Sequence, residues 1–381
     1  MRVAGTSRVG DMAFSAWRID WRLTAAVAAI ASLALVSTTA WSRTRDAPKP
    51  PLNGGFIQYD EDVLKEITAK KWGFVLSEMQ TLGMKTVIVQ YLGVAKDAAE
   101  TPPPFLFEEV KKKCPSVIDP TPIILGEAKA RGLDVYLGLL FPPEDSKGST
   151  NARPGFWKPG NLATFAKANC TFAKQVADKY RGRFQGWYVP LENWVGKYSG
   201  GDVNEYVDDW RAFYANVAEV CKTEQPSLPV AISPCLPDRA YSGPDPKTAA
   251  EVYGKMLTGR NIDKKIDIVM LQDSVGEKPE TWTPTTSAAH LAPLVDVCHP
   301  KGIRVWSNVE SFERRGNDRL PCRFARFKSQ IEAAQGVEAR VTFDFFHYMN
   351  GRVHLKRWCD IDDYIARMAD LHCQYRNTYI K

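Results

Sequence analysis

The chain has 381 residues, 44% hydrophobic and 25% charged, with a formal net charge of +6. That length allows one large domain or two of ordinary size, with a sizeable core in either case. The charge is spread thinly, its densest run being Lys111, Lys112 and Lys113, and so short a solvated run argues against nucleic acid as a partner.

Residues 23–40 (LTAAVAAIASLALVSTTA) carry no charge and follow Arg2, Arg8, Arg18 and Arg22. Thr38 and Ala40 are small residues placed for cleavage, which makes this the pattern of a secretory signal. The same run is at the short end of the roughly 17–25 residues a membrane span needs, so it also reads as an uncleaved anchor. Both readings export the domain to the periplasm or the extracellular space, with membrane contact only through this segment. Residues 41–53 then form a polar, Pro-rich tether (SRTRDAPKPPLN from Ser42).

From Gly54 to the C-terminus, short β-rich apolar runs alternate with stretches of helical period. The runs are 54–60 (GGFIQYD), 86–94 (TVIVQYLGV), 135–141 (VYLGLLF) and 184–194 (FQGWYVPLENW) in the first half. The second half repeats them at 229–234 (PVAISP), 266–273 (IDIVMLQD), 303–312 (IRVWSNVESF) and 339–349 (ARVTFDFFHYM). Helices are predicted near 61–82, 121–131, 162–180, 203–224, 247–257, 288–298, 324–334 and 361–375. This alternation predicts a parallel sheet, closed as a single α/β (β/α)8 TIM barrel over 54–381. The first strand is not followed by G-x-G-x-x-G, which argues against an open dinucleotide-binding sheet. No cofactor is called for.

The eight cysteines are Cys114, Cys170, Cys221, Cys235, Cys298, Cys322, Cys359 and Cys373. An even number in an exported chain predicts disulfides of open pairing. No C-x-x-C spacing is present, so no metal site is expected. Asn169-Cys170-Thr171 matches a glycosylation sequon but falls within a predicted helix.

Barrel active sites lie at the C-terminal ends of the strands. Polar residues stand at those ends: Gln58, Gln90, Glu192, Gln272, Asp273, Asn308, Glu310, Asp344, His347 and Tyr348. Side chains alternate with period two, so an inward Glu310 takes Asn308 and Trp306 with it, and an inward Glu192 takes Tyr188 but not Trp187. Two carboxylates facing each other across a cleft suit glycoside hydrolysis, one protonating the leaving oxygen while the other attacks the anomeric carbon or activates water. Tyr59, Tyr91, Trp157, Trp194, Tyr198, Trp306 and Tyr348 fall at or beyond the same strand ends, where aromatic faces stack on sugar rings or simply pack. Glu192 and Glu310 are therefore the candidate catalytic pair. Gln58, Tyr59, Gln90, Tyr91, Trp194, Gln272, Asp273, Trp306, Asn308, His347 and Tyr348 are the candidate substrate contacts.

The segments GGFIQYD, TVIVQYL, GWYVPLE, IDIVMLQDSVG and WSNVESF resemble an uncharacterised family of glycoside-hydrolase-like TIM barrels, a domain of unknown function. The layout is also similar to the retaining clan A of barrel glycosidases. That resemblance implies Glu192 as acid/base and Glu310 as nucleophile. The clan carries Asn immediately before its acid/base, whereas here Leu191 precedes Glu192 and Asn193 follows it. The expected function is an exported hydrolase of a polysaccharide or glycoconjugate. The alternatives are a non-catalytic carbohydrate-binding barrel serving polysaccharide export or anchoring, and an inverting enzyme using Asp273 or Asp344.

Overall fold

Eight short strands, β1 Gly54–Ile57, β2 Thr86–Val89, β3 Asp134–Gly138, β4 Gly186–Val189, β5 Val230–Ile232, β6 Ile268–Gln272, β7 Arg304–Glu310 and β8 Ala339–Phe343, close into one barrel in a computed structural model of the chain. The described residues are 52–95, 103–142, 159–193, 203–236, 245–259 and 261–380. The chain divides into Met1–Pro48 and Lys49–Lys381, and the expected leader and nearly all of the tether lie outside the described residues. Every neighbouring pair in the barrel is parallel, and β8 closes on β1 through Gly54 opposite Val341. The main helices are α1 Ala69–Thr81, α2 Pro120–Arg131, α3 Pro159–Tyr180, α4 Val203–Glu224, α5 Pro246–Met256, α6 Leu291–Cys298, α7 Phe324–Ala333 and α8 Tyr364–Tyr379.

The strands are apolar on both faces because helices cover the outside and side chains fill the inside. Ile57, Val87, Val89, Trp187, Val189, Leu271 and Val309 join the helix-facing core. The alternate residues Phe56, Ile88, Tyr136, Tyr188, Met270, Trp306 and Val341 fill the barrel. Inside, Phe56 meets Tyr188 edge-on at 5.3 Å and Phe343 at 5.6 Å. Gly186 makes room for this filling: a Cβ there would lie 2.3 Å from the Tyr136 ring.

Several elements differ from expectation for local reasons. The helix expected over 61–82 is two, because Ile67 is extended and Thr68 caps α1, its hydroxyl accepting from Lys71 N. The Pro-rich segment contains a helix, Leu106–Lys113, whose last turn holds Lys111, Lys112 and Lys113 where the helix dipole favours cations. The eighth strand stops at Phe343, and Asp344 caps a short helix, Phe345–Tyr348. After β7 the chain makes an antiparallel hairpin, Phe312–Arg315 with Asp318–Pro321, turning at Gly316 with φ +62°.

The expectation of disulfides is corrected. All eight cysteines are free. They sit on separate elements, and Cys221, Cys298 and Cys322 pack as small apolar groups in the core. Asn169 is fully buried on α3, where its Oδ1 accepts from Leu140 N at 3.2 Å, so it offers no exposed amide to a glycan. Among the described residues no helix is long and apolar enough to cross a membrane.

Phe56 is buried between β4 and β8 side chains, so Phe56→Ala is expected to cost about 3–5 kcal/mol of stability. Urea denaturation measures this, and a loss below about 1 kcal/mol would mean the barrel interior is loosely filled.

Candidate active site

Four of the strands turn polar one or two inward steps beyond the packed interior. Phe56 is followed on its face by Gln58, Ile88 by Gln90, Met270 by Gln272, and Trp306 by Asn308 and then Glu310. Gln272 and Asn308 are register partners on β6 and β7. Ser233, just past β5, ties them together. Its Oγ accepts from Asn308 Nδ2 at 3.0 Å and donates to Met270 O at 2.7 Å, while its carbonyl accepts from Gln272 Nε2 at 2.9 Å.

Glu310 ends β7 and is only 3% exposed. Its Oε2 accepts two main-chain N–H bonds, from Gly276 at 2.7 Å and Glu277 at 2.8 Å. The approach is close enough to require glycine: a Cβ on Gly276 would lie 2.2 Å from Phe312 O and 3.0 Å from Glu310 Oε2. Asp273 stands behind this loop. Its Oδ1 accepts from Val275 N at 3.2 Å and Glu310 N at 3.3 Å, and its Oδ2 accepts from Gln330 Nε2 of α7 at 2.5 Å.

Glu192 lies beyond β4 and is half-buried. The Cys235 thiol, past β5, lies 3.7 Å from Glu192 Oε2 and 3.3 Å from Gln272 Oε1. The rim is held by Glu277, whose carboxylate takes Arg314 Nη1 at 2.6 Å and Arg319 Nε at 2.9 Å from the hairpin after β7. The Arg319 guanidinium lies over Phe312 at 5.6 Å, and Phe312 packs on Tyr348 at 5.2 Å.

Burial raises the proton affinity of both glutamates. It pushes the Glu310 carboxyl up, the charge of Asp273 pushes further, and the two main-chain amides only partly oppose this, leaving the group at about 8. Burial also lifts Asp273, to about 6, against the hydrogen bond from Gln330. Asp273 accepts three hydrogen bonds and Glu310 two, and the charge of either carboxyl raises the proton affinity of the other. Glu192 is raised by burial, while a Gln272 hydrogen bond and the positive charge of Arg319 pull it back.

The structure brings together Glu192, Gln272, Asn308, Glu310 and Tyr348 around the mouth, and Gln58 donates to the Tyr91 hydroxyl at 3.3 Å. Gln90 Oε1 and Asn308 Oδ1 are buried acceptors without a protein partner among the described residues. Leaving such a group unpaired costs about 1–3 kcal/mol, so both are suited to hydroxyl donors of a ligand.

Four candidate contacts are corrected. Tyr59 points outward and packs edge-on against Trp72 at 6.0 Å. Asp273 also points outward, lining a small cavity with Ser287, Ser307 and Gln330. Trp306 is a layer below the mouth, against Tyr136 at 6.2 Å. His347 has both ring nitrogens engaged, Nδ1 at 2.7 Å from Asp344 Oδ2 and Nε2 at 3.2 Å from Arg357 Nη2. Arg357 continues to Asp60 at 2.8 Å, so His347 is a strut between the loops after β8 and β1. Asp344 is fully buried in that strut, its Oδ1 accepting from His347 N. Trp157, Trp194 and Tyr198 lie outside the described residues.

Sequence reasoning missed Ser233, Cys235, Gly276, Glu277, Arg319 and Gln330. The first two stand at the end of the fifth apolar run, where polar residues were legible as candidates. Among the described residues no group of three or more His, Cys, Asp or Glu is placed to hold a metal ion.

A closed barrel of eight parallel strands with helices outside is a TIM barrel in its fold. The chain belongs to the DUF4434 family, a domain of unknown function, whose pattern matches residues 52–353. It is similar to a candidate alpha-L-fucosidase from Bacteroides thetaiotaomicron VPI-5482, at 21% identity and TM-score 0.64, over 88% of this chain and 95% of that one. It is similar to the endo-beta-1,4-mannanase from Thermotoga petrophila, at 12% identity and TM-score 0.53, over 88% and 78% of the two chains. The endo-1,4-beta-mannanase from Rhizomucor miehei matches at 12% identity and TM-score 0.50, over 86% and 95%. No curated protein sequence matches the chain.

The raised carboxyl of Glu310 has a consequence for stability. The folded protein holds this proton more tightly than the unfolded chain does, so the contribution is complete below the ordinary value of 4.5 and is lost as pH rises through about 8. Glu310→Gln keeps an acceptor for the two amides and removes the charge. It is expected to match the parent near pH 5 and to exceed it by roughly 1–3 kcal/mol near pH 9. Chemical denaturation at both pH values checks this, and a pH-independent difference would remove Glu310 as the titrating group.

Proposed function

We propose that the chain is an exported glycoside hydrolase that cleaves a polysaccharide or glycoconjugate with retention, Glu192 acting as acid/base and Glu310 as nucleophile. The observation that carries this reading is the pair itself: two glutamates at the tips of β4 and β7, beside the amides of Gln272 and Asn308. In the first step Glu192 gives its proton to the departing glycosidic oxygen while a Glu310 oxygen bonds to the anomeric carbon. In the second, Glu192 takes a proton from water, whose oxygen displaces Glu310. The amides from Gly276 and Glu277 hold Oε2, which leaves Oε1 to attack. Gln58, Gln90, Gln272, Asn308 and Tyr348 bind hydroxyls, and Tyr91 offers a ring edge.

One observation favours a second reading. Burial and the facing Asp273 carboxylate push the Glu310 carboxyl well above the usual carboxylate range, which suits an acid better than a nucleophile. With the roles exchanged, Glu310 protonates the leaving oxygen and Glu192 attacks. Trapping separates the two. A screen of intact polysaccharides identifies the sugar released, and its 2-deoxy-2-fluoro glycoside labels the nucleophile for peptide mass spectrometry. Label on Glu310 supports the first assignment, and label on Glu192 the second.

Glu192→Gln and Glu310→Gln are each expected to lower turnover by roughly 10²–10⁴-fold. Undiminished turnover by both variants would overturn the two-glutamate assignment, whereas a parent protein that binds glycans and cleaves none of them would overturn the hydrolase reading and leave a carbohydrate-binding barrel. Export is tested by recovering the protein from periplasm or medium and sequencing its N-terminus, with cleavage near Ala40 expected.

A further inference from the structure

We propose that the sugar seated in this mouth is acidic, a hexuronate unit whose carboxylate is received by Arg319 with Tyr348 beside it. The inference rests on the glycoside-hydrolase reading of the same mouth and adds the substrate class.

Arg319 comes from the hairpin that follows Glu310, so the chain delivers it to the rim directly after the candidate nucleophile. Its side chain is 40% exposed, and its only ion pair among the described residues is with Glu277. Glu277 is shared with Arg314, so one carboxylate serves two guanidinium groups. That contact uses Nε alone. The Nη atoms of Arg319 carry no hydrogen bond among the described residues, although a guanidinium presents five donors in a fixed fork.

The fork is also held in place. Glu277 fixes it in the plane at 2.9 Å, Phe312 lies beneath it at 5.6 Å, and Phe312 is itself packed on Tyr348 at 5.2 Å. Little side-chain entropy remains to be lost on binding an anion. Arg319 acts electrostatically on Glu192, Glu310 and Tyr348, which places its charge at the mouth rather than on the outer surface. It forms no ion pair with either glutamate among the described residues, so its Nη donors are not taken up by them. A neutral sugar would meet this fork with hydroxyls alone, whereas a carboxylate matches it in charge and in two-pronged geometry. Tyr348 supplies a hydroxyl on the same wall, kept protonated because burial drives its titration far up.

The test uses the full mature protein and three polyuronates, polygalacturonate, polymannuronate and polyglucuronate, each beside its esterified form, which keeps the shape and removes the charge. Affinity electrophoresis or calorimetry reads binding for the parent, Arg319→Gln and Arg319→Lys, with thermal melts to confirm folding. At least one acid form is expected to bind about tenfold or more tightly than its ester. Arg319→Gln should erase that preference, and Arg319→Lys should restore part of it, since it keeps the charge and loses the fork. No binding to any of the acids, no preference over the esters, or a preference that survives Arg319→Gln would overturn the proposal. The two readings fail separately. Acid binding without turnover keeps the anion subsite and sinks the hydrolase. Turnover of a neutral glycan with no acid preference keeps the hydrolase and sinks the subsite.

Discussion

The two main-chain amides that hold Glu310 set the geometry of everything above the barrel. They come from the loop after β6 and reach a side chain at the end of β7, so they join adjacent strands at the height where chemistry would occur. The junction works only because residue 276 has no side chain to hold the loop away. Asp273 secures the same loop from behind, bonding Val275 N in front and Gln330 of α7 at its back. A buried carboxylate would ordinarily be free to choose among rotamers or to recruit water. Here one oxygen is pinned, and the other is left with a single direction to face.

The same loop carries the grip outward. The Glu277 backbone holds Glu310, and the Glu277 carboxylate holds Arg314 and Arg319 of the hairpin. A displacement of the hairpin is therefore transmitted to the candidate nucleophile through one residue. On the opposite side, Asp344, His347, Arg357 and Asp60 link the loop after β8 to the loop after β1. These contacts lie where the barrel closes on itself, so the strut fixes the seam while Glu277 fixes the active wall. The more exposed pairs among them, Glu277 with Arg314 and Arg319 and Asp60 with Arg357, add little to stability one at a time. Their effect is positional, because each ties together loops that the strands alone leave independent.

The barrel was legible in the sequence because its signal is repeated eight times, apolar run followed by amphipathic run, and errors at single boundaries do not disturb the count. The facing of strand residues was legible for the same reason of period: Tyr188, Met270 and Trp306 do fill the interior, and Trp187 does face the helices. What the period could not supply was height. Trp306 and Glu310 share a face, but two inward steps separate the packed layer from the mouth, and only the register of β7 against β6 and β8 sets which is which. Tyr59 and Asp273 were misjudged on the other coordinate, since each follows an inward glutamine and so must point out. The hairpin that brings Arg319 was signalled by the Gly316-Asn317 pair between polar strands, a turn cue easily lost beside a strong helix pattern. Cys235 had no signal beyond its place after the fifth strand, because a thiol between two strand ends becomes a site residue only when the barrel closes.

The charges at the mouth explain why Glu310 keeps its proton. Glu192 and Glu277, when ionised, balance Arg314 and Arg319, so these four side chains sum to zero. A charge on Glu310 would be surplus, and it would sit in front of Asp273, in a space with little water to spread the field. Burial alone raises a carboxyl; burial in front of a second carboxylate and inside an already balanced set raises it further. Hydrogen bonding works against this, the two amides on Oε2 favouring the anion. The site therefore stands near the point where binding can decide the protonation state. Arg319 at the rim acts on the other glutamate, drawing Glu192 back toward its anion while Asp273 drives Glu310 the opposite way, so the two carboxyls are set apart by the charge that stands near each.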